Sequence, residues 1–189
     1  MVLPVFAAAW ELECCQPEAT VGQAWSACLF LNPPVPWWTE EDDEGASESA
    51  LGVMELDVDV LRGAEGDEAM ALADAGPVCL GVKGLRETGR RLLCGRISSE
   101  WHGPGPEGVS LGDVECTGNV RRVRLFPIAF ERRGDRAWFP VEELSPVDVR
   151  STGDRRRMRT DDNDRHYRDT LLVDIEVSTT HGPAPEPDR

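Results

Sequence analysis

Apolar and polar residues alternate with a period of two along most of the chain, the mark of strands with one buried and one wet face. Residues 53–60 are the cleanest case: Met54, Leu56, Val58 and Val60 oppose Glu55, Asp57 and Asp59, with Val53 the one exception. Residues 171–177 repeat the pattern, setting Leu171, Val173, Ile175 and Val177 against Leu172, Asp174 and Glu176. Residues 2–13 predict an opening strand, with Trp10, Leu12 and Cys14 on one face and Glu11, Glu13 and Cys15 on the other. A turn over 16–22, carrying Pro17 and Gly22, precedes a second strand over 23–31, which Asn32, Pro33, Pro34 and Pro36 bring to an end.

The short apolar runs 78–82 and 91–98 are separated by residues 84–89, with a glycine at each end, and predict a hairpin with a longer loop. Residues 120–130 and 137–144 predict a second hairpin, with Gly134-Asp135 at its turn and Pro127 marking an edge. Residues 65–75 (EGDEAMALADA) place acids in a first turn, then good helix formers, then Gly76-Pro77 as a stop, which predicts one short helix. The remainder reads as irregular: an acidic loop over 39–50, the connection HGPGPEG over 102–108, a polar mobile loop over 151–169 and a disordered tail over 179–189. Seven or more short strands punctuated by glycine and proline predict an all-β, mainly antiparallel fold. The expected architecture is a small β-barrel of SH3-like or OB-like type over 1–178, with long loops and at most one short helix.

Charge narrows the functions available. The 189 residues carry 35 acids against 20 bases, a net charge of -15, whereas affinity for duplex DNA comes mostly from clustered Lys and Arg. No duplex DNA binding is expected. No stretch reaches the ~18 consecutive apolar residues that a spanning helix needs, and the longest, residues 2–10, already contains Pro4. It also lacks the basic region of a secretory signal, so the expected location is cytoplasmic and the six cysteines are read as reduced thiols.

The segment Trp10-Glu11-Leu12-Glu13-Cys14-Cys15, followed by Val21-Gly22 and Trp25, resembles the opening of an uncharacterised actinobacterial domain family of unknown function. Cys94-Gly95-Arg96-Ile97 and the run from Leu171 through Asp174 to Val177 are similar to that family's Gly-x-Val strand and its closing Leu-Val-Asp strand. The chain has Gln16 and Ala19 where the family pattern has glycine and an aromatic residue. The resemblance implies a fold and carries no activity. Arginine is used almost throughout, Lys83 being the one lysine, which fits a high-GC actinobacterial source.

Few residues qualify for chemistry. Structural zinc sites draw ligands from close pairs such as Cys-x-x-Cys, while Cys28, Cys79, Cys94 and Cys116 each stand alone, so neither a metal nor another cofactor is expected. A cysteine hydrolase needs a histidine base, and His102, His166 and His181 all fall in segments read as loop or tail. No catalytic residue is assigned; Cys15 is the reactive thiol to test, and the neighbouring Glu11 and Glu13 disfavour its thiolate. The glycines around Lys83 lack the Gly-Lys-Ser/Thr element of a phosphate loop, and Arg133-Gly134-Asp135 is a hairpin turn.

Two binding candidates remain. Trp37-Trp38, beside Pro34 and Pro36, forms an aromatic surface for a partner, and Arg121, Arg122 and Arg124 form a positive strip on a negative protein. The leading expectation is therefore a non-enzymatic binding or accessory module for a protein partner. The alternatives are a cysteine-dependent hydrolase or transferase, which a pocket joining His102 to Cys15 would favour, and a barrel for single-stranded nucleic acid, which a basic groove with exposed aromatics would favour.

Overall fold

The computed structural model describes residues 1–7, 17–32, 52–65, 69–99, 109–133, 137–143, 145–154, 159–160 and 166–180. The strands are β1 (Val2–Ala7), β2 (Ala24–Asn32), β3 (Val53–Arg62), β4 (Met70–Asp74), β5 (Cys79–Lys83), β6 (Gly89–Ser99), β7 (Glu115–Arg133), β8 (Ala137–Glu143), β9 (Val147–Val149), β10 (Arg159–Thr160) and β11 (His166–Thr180). One short helix, α1 (Leu111–Val114), precedes β7.

Eight strands close into a barrel in the order β11-β1-β6-β3-β4-β5-β2-β7, with β7 returning to β11. The expected small β-barrel forms. Most neighbours are antiparallel, and β1–β6 and β2–β5 run parallel. β2 and β6 also pair directly, from Leu29↔Ser99 to Asn32↔Arg96, although β3, β4 and β5 lie between them around the ring. Alternation fills the interior as predicted: Leu3 and Val5 of β1, Leu56, Val58 and Val60 of β3, and Leu171, Val173 and Ile175 of β11 join one apolar cluster. Trp25 of β2 belongs to the same cluster, and its indole Nε1 donates to the Pro17 carbonyl at 2.9 Å.

Several sequence expectations change. Residues 70–74, expected in a helix, form β4. Ala71 and Ala73 face the barrel core while Leu72 faces a second cluster outside it, so both faces of the strand are buried and no period of two survives in the sequence. The helix forms instead at Leu111–Val114, where Ser110 and Asp113 make a capping box; Ser110 Oγ accepts from Gly112 N at 3.3 Å.

The runs 78–82 and 91–98 are strands but not a hairpin. β5 pairs with β4 and β2, and β6 pairs with β3, β1 and β2. The order β6-β3-β4-β5 is a Greek key, whose last connection, residues 84–88, crosses the barrel end. There Ala64 N donates to the Leu85 carbonyl at 2.7 Å, and Gly63 lies so close to the Arg86 carbonyl that a Cβ would overlap it.

The hairpin β7–β8 forms as expected, from Ile128↔Glu143 to Arg133↔Ala137, while its turn at Gly134-Asp135 lies outside the described residues. Pro127 is paired with Asp169 on one edge, and on the other it falls in the gap between the β9 and β8 pairings. The polar loop expected over 151–169 is structured where it is described. Residues 152–154 form a 3-10 turn, and 166–169 begin β11, paired with Pro127–Phe130 of β7. Backbone pairing along β7 satisfies these N–H and C=O groups whatever side chains they carry. β11 continues to Thr180, with Thr179 and Thr180 paired to Thr117 and Cys116, beyond the expected domain end at Ser178. The acidic loop over 39–50, the connection 102–108 and the chain after Thr180 lie outside the described residues. No described helix is long and apolar enough to cross a membrane.

Candidate functional site

The arginine strip is brought together by a backbone irregularity. Asp174 pairs with Arg122 and Ile175 with Val120, so Arg121 is the extra residue of a β-bulge in β7. The bulge explains why Val120 and Val123 both point into the core although three positions separate them, and why Arg121 and Arg122 are both exposed.

Each arginine is matched by a carboxylate. Arg121 pairs with Glu176 of β11. Arg122 binds Asp148 of β9 through Nε at 2.7 Å and Nη2 at 3.0 Å, and this guanidinium holds the Asp148 carboxyl below the usual carboxylate range. Arg124 pairs with Asp174, and its guanidinium lies 6.0 Å from the Phe126 ring centroid. Phosphate would have to displace three intramolecular carboxylates. The strip expected from the sequence is a neutral ladder across β9, β7 and β11.

The buried thiols Cys28, Cys79 and Cys116 are poor nucleophiles. Cys28 is buried outside the barrel against Phe30, Leu72, Cys79, Val109 and Val114, and its Sγ donates to the Leu111 carbonyl at 3.5 Å. Burial, with Glu115 adding, pushes its pKa up to about 11; burial alone does the same for Cys116, also to about 11. Burial, then Asp74 and Asp113, push the Cys79 thiol up. These groups stay protonated at neutral pH. Cys94 of β6 is exposed. Among the described residues no group of three or more His, Cys, Asp or Glu side chains could hold a metal.

A hydroxyl–carboxylate pair that the sequence did not reveal joins two turns at the barrel rim. Ser151 Oγ donates to Glu18 and accepts from Gly153 N at 2.9 Å, while Ala19 N donates to Thr152 Oγ1 at 2.9 Å. Asp154 accepts from Ser151 N at 3.0 Å. These bonds fasten segments 133 residues apart, and no local signal announces them. With its hydroxyl spent on both neighbours, Ser151 acts as a clasp.

The third feature is the outer face of β3 and β6, where the register sets Glu55 opposite Cys94, Asp57 opposite Leu92 and Asp59 opposite Arg90. All six residues are exposed, and Leu92 at 69% is more exposed than the other large apolar side chains among the described residues. Arg90 reaches diagonally to Asp57, with Nε 2.9 Å from Oδ1, and holds that carboxyl below its usual range. Asp59 also faces Asp74 across β4. The sequence signal for half of this face was present in the acidic alternation of 53–60; its partner strand was not identifiable.

Trp37, Trp38, Cys14, Cys15, His102 and His181 lie outside the described residues. His166 is in β11, opposite Phe130 and Thr160, rather than in a loop. Comparison with protein-family models, with curated proteins and with solved structures gives no match to this chain.

Proposed function

We propose that this chain is a non-enzymatic binding module that holds another protein against the outer surface of its barrel. The observation that supports this reading is the exposed β3–β6 face, where Leu92 stands beside a row of carboxylates. Leu92, opposite Asp57, offers a partner an apolar contact beside charge. The inward positions of the barrel are packed with Val, Leu and Ala, which leaves binding to the outside. The raised thiols of Cys28, Cys79 and Cys116 run against a cysteine hydrolase, and the paired arginines run against a nucleic-acid strip. The proposed setting is the cytoplasm, where cysteines that form no disulfide, such as Cys28, Cys79, Cys94 and Cys116, remain reduced.

The test is affinity capture from host lysate with the full chain, followed by mass spectrometry and reconstitution of the recovered pair from purified proteins. A saturable one-to-one complex is the expected result. Failure to reconstitute a complex with any captured protein would overturn the reading.

A further inference from the structure

We propose that Cys28 of β2 and Cys79 of β5 form a reversible disulfide that staples these two strands when the chain meets a small-molecule disulfide such as oxidised glutathione. Phe30 pairs with Gly81 and Leu31 with Val82 in parallel register, and two residues earlier on each strand stand Cys28 and Cys79. Equal spacing from the paired residues sets the two thiols level with each other and on the same face as Phe30. That face is the outer one: Cys28, Phe30 and Cys79 all belong to the cluster outside the barrel. Both thiols also meet α1, Cys28 through the Leu111 carbonyl at 3.5 Å and Cys79 through the charge of Asp113. The strands are close at this point, since a Cβ at Gly81 would lie 2.5 Å from the Phe30 ring. Adjacent strands run about 4.8 Å apart, within the span of about 4.4–6.8 Å between Cα atoms that a disulfide bridges. Parallel strands hold the Cβ atoms near the same spacing, slightly beyond the about 3.5–4.5 Å of a relaxed bond, which makes the bond readily reducible. Cys116 faces the barrel core and Cys94 is exposed on β6, so neither competes. β2 and β5 share the shortest paired run in the ring, Phe30-Leu31 against Gly81-Val82, so the bond reinforces barrel closure where backbone pairing is least extensive.

The Cys79 thiolate, the more exposed of the two at 8% against 4%, attacks the glutathione S–S bond and releases one glutathione thiolate; the Cys28 thiolate then attacks the mixed disulfide and releases the second. Two protein thiols are oxidised, one glutathione disulfide is reduced, and the two departing thiolates take up the two protons. Burial confines both steps to local openings and slows them, while the geometry of the closed pair sets the equilibrium.

The test equilibrates the full chain with mixtures of reduced and oxidised glutathione in urea below the unfolding midpoint, which populates local openings. Equilibrium is approached from the reduced chain and from chain refolded with oxidised glutathione until the two agree; samples are then acid-quenched and digested for mass spectrometry of linked peptides. A Cys28–Cys79 peptide is expected as the dominant internal link, lost again in excess dithiothreitol. Oxidation should raise the melting temperature by about 5 °C, because a bond closing a loop of about 50 residues restricts the unfolded chain. Cys28→Ala and Cys79→Ala should each abolish the rise, and Cys94→Ala should keep it. The link is read on the native chain, so an unstable variant leaves that result intact. Absence of a Cys28–Cys79 link at equilibrium, a different partner for either thiol, or a temperature rise that survives both substitutions would overturn the proposal.

Discussion

Arg124 of β7 reaches diagonally across the sheet to Asp174 of β11, whereas the residue directly opposite Asp174 is Arg122, which turns the other way to Asp148. The Arg124 and Asp174 side chains are only 17% and 15% exposed, and Arg124 Nε is buried without a partner. Removing one member strands a mostly buried charge. Asp174→Ala should therefore cost about 1–3 kcal/mol, while the double variant Arg124→Met/Asp174→Leu should lie within about 1 kcal/mol of the native chain. Urea unfolding of the single and double variants checks both values.

The buried thiols make stability fall in alkali. Cys28 and Cys116 titrate near 9.0 when unfolded and near 11 when folded, so the folded state retains protons that the unfolded state loses. Their contribution is complete below pH 9.0 and disappears as pH rises through about 11. The urea midpoint should decline over that interval, and Cys116→Ala should make the decline shallower. At mildly alkaline pH iodoacetamide should label Cys94 before Cys28, Cys79 or Cys116, as read by peptide mass spectrometry. Prompt labelling of Cys28 in the folded state would contradict its assigned burial.

Gly81 of β5 leaves room for an aromatic ring. A Cβ placed there would lie 2.5 Å from Phe30 Cδ1 and 2.7 Å from Cε1, and Phe30 is fully buried. Gly81→Ala should cost about 1–3 kcal/mol through overpacking. Combined with Phe30→Leu, it should cost less than the sum of the two single changes, because the smaller side chain vacates the contested space. Additive losses would show that the ring is not the obstacle.

Truncation after Arg168 should abolish folding. β11 closes the ring between β1 and β7, and it buries Leu171, Leu172, Val173 and Ile175 almost completely. Each such side chain is worth about 1.5–3 kcal/mol, so their loss consumes most of a stability of roughly 5–15 kcal/mol. The truncated chain should be insoluble; a soluble product with a cooperative melt would refute the closing role of the strand.

Because all three arginines of the ladder carry intramolecular carboxylates, neither duplex DNA nor single-stranded RNA should bind at moderate salt. Fluorescence anisotropy with labelled oligonucleotides is the direct check. Tight binding that weakens steeply with salt would return the strip to the list of sites.

The strands legible in the sequence are those with one wet face. β3 shows it best: Glu55, Asp57 and Asp59 meet water while Leu56, Val58 and Val60 meet the core, and alternation records that difference residue by residue. β4 was illegible because Ala71 and Ala73 enter the barrel core while Leu72 enters the outer cluster, leaving a short run of helix-forming residues without a period. The bulge at Arg121 broke the period that would have assigned its face. Pairing also lay beyond the sequence. The Greek-key return of β6 to β3, the contact between β2 and β6, and the pairing of Arg124 with a carboxylate 50 residues away all depend on which strands meet, not on what each prefers alone. Local sequence determines whether a segment has an apolar face and how charge is distributed along it. Which apolar faces come together is decided by closure of the whole barrel, since burial rewards any complementary partner and only the complete ring leaves each strand one that fits.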